Sequence, residues 1–217
     1  MSKLKESLER GDFTVTGEVG PPKGVNLEHM FTHEVDYIRD RVVAINVTDN
    51  QSSVMRISSF GICSLLAREG LEPILQITCR DRNRLAIQGD ILAAYAHGIR
   101  NILALTGDHN TAGDHPESLP VFDLDSVSLL HAMSELKGGR DLAGEELEGV
   151  PEDIHCGAIV TPGADPMEVQ IIKMERKVES GAQFFQTQAI YDPAVFEKFM
   201  KEARKFKVPV LCGVVII

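Results

Sequence analysis

The sequence predicts an α/β fold, and within that class a (β/α)8 TIM barrel of parallel strands, apparently truncated in or after strand seven. Three observations carry this. Short apolar runs alternate with helical stretches at a spacing of roughly thirty residues, the length of one βα unit. The apolar runs are bounded by glycines, prolines and small polar turns, as buried parallel strands are. No G-x-G-x-x-G follows the first strand and no G-x-x-x-x-G-K occurs, so the open, doubly wound alternative lacks its usual signs.

The elements follow in order. Leu4 and Leu8 mark a short amphipathic helix that ends near Gly11. Phe13–Val19 reads as the first strand, closed by Gly20-Pro21-Pro22, and a helix follows Asn26. Val42–Val47 is the second strand, ending in Thr48-Asp49-Asn50. Val54, Ile57, Gly61 and Leu65 fall at helical spacing, with a stop at Gly70. Pro73–Cys79 is the third strand, and the next helix carries Leu85, Leu92 and Ala96 on one side before Gly98. Asn101–Leu105 is the fourth strand. Asn110–Pro120 reads as a polar loop, Leu129, Met133 and Leu136 as a helix face, and Gly138–Val150 as an inserted surface loop. Ile154–Val160 is the fifth strand. Asp165-Pro166 and Asp192-Pro193 each read as an N-cap followed by proline at the first helical position. Met167, Ile171, Met174 and Val178 form the first of these two helix faces; Phe196, Met200 and Ala203 form the second. Ala182–Thr187 is the sixth strand and Val208–Ile217 the seventh. A closed barrel has eight strands. The expectation is therefore one barrel domain over residues 1–217 with its carboxyl-terminal end missing.

Composition narrows the function. The chain has 217 residues, 43% of them hydrophobic, enough for one sizeable core. No apolar run is long enough to span a bilayer, and the charged amino-terminal stretch does not read as a signal peptide. A formal net charge of −10 argues against nucleic acid and anionic membranes as main partners. Cys63, Cys79, Cys156 and Cys212 lie far apart with no C-x-x-C pair, which reads as reduced, buried thiols in a cytoplasmic protein.

The chemistry concentrates around Gly98–His109, where an apolar strand runs into Thr106-Gly107-Asp108. Ligands of α/β folds bind at the carboxyl ends of the strands. Several strands turn polar on one face toward that end: Thr16 and Glu18, Asn46 and Thr48, Gln76 and Thr78, Thr106 and Asp108, Gln186 and Gln188. Each pair shares parity within its strand. If that face is the barrel interior, these groups converge at its mouth and call for a hydrogen-bonding ligand. Glu18 and Asp108 stand out as carboxylates that could divide the roles of acid and fixed charge. The plainer readings are a turn cap for Asp108 and a surface lysine for Lys177. His29 and His33 lack the glutamate of an H-E-x-x-H zinc site. The loop with Asp108, His109, Asp114, His115 and Glu117 keeps a metal-dependent hydrolase as a rival reading.

Six motifs in order resemble the methylenetetrahydrofolate reductase family: Glu18 before Pro21-Pro22, Thr48, Leu75–Cys79, Leu103–Asp108, Lys177–Ala182 and Thr187-Gln188. The resemblance implies a flavin-containing barrel that reduces 5,10-methylenetetrahydrofolate to 5-methyltetrahydrofolate in one-carbon metabolism. It implies FAD or FMN as cofactor, and NAD(P)H or a reduced partner subunit as electron donor, within an oligomer or complex. It makes Glu18 the general acid that helps open the imidazolidine ring by protonating N10. Asp108 falls beside the flavin pyrimidine edge and the pterin, and Gln188 on the folate. Thr48, Gln76, Thr106, Gly107, Asp108 and Lys177 fall at cofactor-binding positions. The sequence departs from the family pattern at Val19-Gly20, where aromatics are usual, and at Gln76, often histidine. It departs also at Thr106, often arginine, in Gly157–Pro162, which lacks a tyrosine, and at Gln170, which replaces an aspartate. These departures and the glycine-rich insert resemble the anaerobe branch whose barrel pairs with an iron–sulfur subunit. A non-catalytic folate- or partner-binding barrel subunit is the alternative from another class.

Overall fold

A computed structural model describes residues 2–215. Seven parallel strands form one sheet in sequence order: β1 (Thr16–Val19), β2 (Ala44–Val47), β3 (Pro73–Thr78), β4 (Asn101–Leu105), β5 (His155–Val160), β6 (Phe184–Ala189) and β7 (Val210–Gly213). The sheet curls into an open half-barrel with β1 and β7 at its edges. The helices are α1 (Lys3–Arg10), α2 (Asp36–Ile38), α3 (Ser59–Arg68), α4 (Arg84–Ala96), α5 (Ser126–Lys137), α6 (Met167–Glu179) and α7 (Pro193–Ala203). A π-helical stretch, Met30–Val35, leads into α2. Among the described residues, no helix is long and apolar enough to cross a membrane.

Alternation along the strands sorts the core into two layers. One face of β2–β6 packs on the helices through Ile45, Val47, Leu75, Ile77, Ile102, Ala104, Cys156, Ala158 and Phe185. The other face forms a smaller interior cluster of Ala44, Ile74, Leu103 and Phe184. Helix α1 lies against that cluster and inserts Leu4, with Leu8 beside it. Ser2 caps this helix through Lys5 N at 2.9 Å, and Gly11 ends it in the left-handed region, φ 74°. Gly157 makes the interior packing possible: a Cβ there would lie 2.2 Å from the Phe184 ring.

The fourth strand has its expected bounds; others shift for identifiable reasons. Strand β1 starts at Thr16, not Phe13: Val15 O already accepts from Val43 N (2.8 Å), and Phe13 stands 97% exposed beyond the paired region. Helix α3 starts at Ser59, not Val54, because Asn50, Ser52 and Ser53 adopt positive φ and wind a tight loop. Strand β6 starts at Phe184, since Ala182 N still bonds to Lys177 O (2.9 Å) in the turn after α6. Strand β7 is short, and Ile216 and Ile217 of the expected strand lie outside the described residues.

Four side-chain expectations need correction. Helix α4 buries Ile87, Ile91 and Ala94, while Leu85 is 80% exposed. The helix is apolar on more than one side, and packing beside α3 and α5 selects the Ile87, Ile91 and Ala94 stripe. Asp192 caps α7 through Ala194 N (2.9 Å), but Asp165 does not cap α6: its bond to Pro166 is cis and Pro166 takes the N-cap position. Helix α7 buries Phe199 and Ala203, with Phe196 and Met200 only half-buried. Of the four thiols, Cys63, Cys79 and Cys156 are buried and Cys212 is exposed. The 138–150 segment is a surface loop closed by one antiparallel bridge, Arg140 to Glu146.

Candidate functional site

The interior changes character along its axis. At the amino end His155 stacks against Phe184, ring centroids 4.6 Å apart, and its Nδ1 pairs with Asn101 Oδ1 at 3.2 Å. Asn101 in turn donates to Glu72 (2.8 Å) and to Pro73 O (3.3 Å). Burial, helped by Lys5 and Lys137, lowers the His155 pKa to about 3, so this imidazole is neutral at ordinary pH.

One layer up, amides replace apolar groups. Gln186 of β6 donates to Asn46 Oδ1 of β2 at 2.8 Å, a bond that crosses the interior. Asn46 Nδ2 donates to Gly17 O (3.2 Å), and Gln76 Nε2 donates to Glu18 Oε2 (3.2 Å). Glu18 is open to solvent at the mouth, yet enough protein surrounds its carboxyl that burial raises its pKa, against the hydrogen bond from Gln76. Thr48 is also buried here, facing Gly20, and its Oγ1 has no hydrogen-bond partner among the described residues.

The other expected groups are placed differently. Leu103 and Leu105 are the interior residues of β4, so Thr106 has the opposite parity. Its Oγ1 accepts from Ser126 N at the start of α5 (3.2 Å). Gly107, φ 94°, then turns the chain, and Asp108 is exposed beyond it. The ten polar residues therefore do not form one inward ring; the strand ends at Leu105 and the turn resets direction. Thr78 is likewise taken up, by Asp49. Thr16 is half-buried and Gln188 is exposed at the end of β6. Lys177 is no free surface lysine: its Nζ donates to Ile159 O of β5 at 2.7 Å. Burial, with Lys173 nearby and Asp125 opposing, lowers its pKa to about 8.

Beside this mouth lies a cavity of about 530 Å³ lined by Thr106, Gly107, His109, Phe122, Asp125 and Ser128, among others. His109 and Phe122 stack along its wall, 6.3 Å between centroids. A side chain at Gly107 would press to 3.2 Å on the Cβ atoms of Arg80 and Thr78, so the floor of this turn admits only glycine without a shift.

Sequence reasoning missed the charged frame behind the mouth. Asp49, 4% exposed, accepts from Thr78 N and Oγ1 (both 2.9 Å), from Ser59 Oγ (3.3 Å) and from Arg82. The Arg80 guanidinium is held by both oxygens of Asp81 (2.8 and 2.7 Å) and reaches Asp108 O and Asn50 O, each at 3.3 Å. It ties the loops after β2 and β4 to the end of β3. Asp114 does the same further out, bonding Lys23, Met55 N (3.0 Å) and His115 (2.9 Å). Those bonds occupy one acid, Asp114, and one histidine, His115, of the loop that suggested a metal. Among the described residues no group of three or more His, Cys, Asp or Glu is gathered for an ion. The signal for Asp49 was available: an acid one residue after Thr48, at the carboxyl end of a strand, as Asp108 is.

Comparison with known proteins agrees with the motifs. The family profile described as methylenetetrahydrofolate reductase matches residues 3–217. Methylenetetrahydrofolate reductase 2 of Schizosaccharomyces pombe is 27% identical over 99% of this chain and 33% of its own length. The 5,10-methylenetetrahydrofolate reductase of Pectobacterium carotovorum is 26% identical over 90% of this chain and 61% of its own length. The chain thus spans between a third and two thirds of these curated relatives. Among solved structures, an uncharacterized Clostridium thermocellum protein that binds two copies of 5-methyl-5,6,7,8-tetrahydrofolic acid superposes with TM-score 0.62 at 14% identity, over 96% of this chain and 68% of that one. A 2,3-dimethylmalate lyase superposes with TM-score 0.62 at 10% identity, over 99% and 72%. At such identities these two likenesses concern the fold. With its profile match over nearly the whole length, the chain belongs to the methylenetetrahydrofolate reductase family.

Proposed function

We propose that this barrel reduces 5,10-methylenetetrahydrofolate to 5-methyltetrahydrofolate, with Glu18 as general acid. The observation that carries the reading is the Glu18 carboxyl itself: on the interior face, open at the mouth, raised in pKa by burial and fixed by Gln76. A carboxyl raised in this way retains its proton nearer neutral pH, as a general acid requires. Glu18 would deliver that proton to N10 as the imidazolidine ring opens, leaving a cationic iminium. The exposed Asp108 carboxylate would stabilise that positive charge, and Gln188, exposed at the end of β6, would hydrogen-bond the folate. The folate-binding structural neighbour is consistent with such a ligand.

The site also suits a flavin, FAD or FMN, which supplies the hydride when bound. The buried Thr48 hydroxyl has no hydrogen-bond partner among the described residues, and a cavity lined by Gly107 adjoins the mouth. Lys177 reaches β5 with its ammonium. Thr48, Gln76, Thr106, Gly107, Asp108 and Lys177 are the residues we assign to that group. NAD(P)H or a reduced partner subunit would supply the electrons.

The test is Glu18→Gln. Glutamine keeps the shape and loses the proton. Folate reduction should fall about a hundred- to ten-thousandfold while reduction of the flavin by its donor persists. Equal loss in both half-reactions would make Glu18 structural. A chain that purifies without flavin yet binds folate would support the non-catalytic alternative.

A further inference from the structure

We propose that Gln76, Asn46 and Gln186 are positioning residues for Glu18: two amides fix its backbone and the third occupies one carboxyl oxygen, so that the exchangeable proton sits on Oε1. This rests on the reading of Glu18 as the acid, and gives Gln76 a role besides contact with a cofactor.

The three amides come from β2, β3 and β6 and are 4%, 7% and 8% exposed for Asn46, Gln76 and Gln186. An amide has a donating and an accepting end, so a chain of them needs something to set its direction. Gly17 O supplies that, because a carbonyl only accepts. Asn46 must turn its NH2 to Gly17, which leaves Oδ1 toward Gln186, which must then present its own NH2. Reversing either amide would set two oxygens or two NH2 groups against each other. The residue so held is the one immediately before Glu18, and its far side is fixed as well: a Cβ on Gly17 would meet Ile38 Cδ1 at 2.6 Å.

Gln76 acts on the side chain. Its Nε2 donates to Oε2, and among the described residues no hydrogen bond is made to Oε1. A protonated carboxyl has one oxygen that accepts and one that donates. With the amide N–H on Oε2, the donor is Oε1, the oxygen left for a ligand. Among the described residues Gln76 makes the one side-chain hydrogen bond to this carboxyl, and burial and Gln76 are the influences on its titration.

The experiment follows the Glu18 carboxyl by carbon NMR of glutamate-labelled full chain, assigned with Glu18→Gln. Gln76→Met keeps the volume and removes the donor. The titration of Glu18 should move to higher pH, and Gln76→His, which keeps a ring N–H, should bring it back toward wild type. Folate reduction should fall about tenfold in Gln76→Met through misorientation and recover in Gln76→His. Gln186→Met provides a second variant that leaves Gln76 in place, and it too should move the titration. An unmoved Glu18 titration in both methionine variants overturns the proposal. Undiminished folate reduction by Glu18→Gln would instead overturn the reading of Glu18 as the acid, and a moved titration would then leave the positioning role intact.

Discussion

The two halves of the barrel interior are built from the same strands and behave oppositely. At the amino end, Ala44, Ile74, Leu103 and Phe184 pack around Leu4, and the polar groups present, Asn101 and His155, are bonded to each other or to Glu72 and Pro73. Two residues further along β2, β3 and β6 the interior residues are Asn46, Gln76 and Gln186, with Glu18 of β1 bonded to Gln76 and Thr48 without a hydrogen-bond partner among the described residues, while β4 and β5 keep Leu105 and Ile159 there. The lower half pairs its polar groups within the protein, and the upper half leaves the Thr48 hydroxyl unpaired among the described residues and the Glu18 carboxyl open to solvent. Burying a polar atom without a partner costs roughly 1–3 kcal/mol.

If that division holds, changes in the lower half should register in stability and changes in the upper half in chemistry. The largest expected effect is Phe184→Ala, which empties the space over Gly157 and should cost about 3–5 kcal/mol in denaturant unfolding. A loss below about 1 kcal/mol would mean the interior collapses onto the gap and the lower half is not tightly packed.

Next is Asp108→Asn. Melting should barely change, since Asp108 is exposed and Asn serves a turn nearly as well. The folate step should slow by roughly ten- to a hundredfold through loss of charge opposite the iminium. The flavin midpoint potential should rise, because a carboxylate near the pyrimidine edge opposes the anionic reduced form. Wild-type values for both would reduce Asp108 to a turn residue.

The smallest effect is pH dependence from His155. Its folded pKa, about 3, lies below the unfolded value near 6.5, so between those limits the unfolded chain binds the extra proton. The contribution of this group to stability is complete above about pH 6.5 and is lost as pH falls toward 3. His155→Phe should remove that part of the acid sensitivity and leave the Glu18-dependent rate profile unchanged. An acid unfolding curve identical to wild type would show that other groups carry it.

Much of this was legible in one dimension. The βα rhythm, the fourth strand, the cap at Asp192 and the polar residues at strand ends all follow from local rules: alternation, helical period, capping and turn chemistry. Glu18, Gln76 and Gln186 could be assigned to one face because parity is a local property of a strand. Parity ends where the strand does, which is why Thr106 and Asp108 were misplaced once Gly107 turned the chain. The choice of buried stripe on α4 depended on its neighbours. The pairing of Asn46 with Gln186, 140 residues apart, and the bonds of Asp49 with Arg82, Arg80 with Asp108 and Asp114 with Met55 join residues distant in the chain. Sequence thus determined which chemical groups stand at the carboxyl ends of the strands. Only the tertiary structure decided which of them the protein uses up on itself and which remain available to a ligand, because hydrogen-bond satisfaction depends on distances that no local pattern encodes.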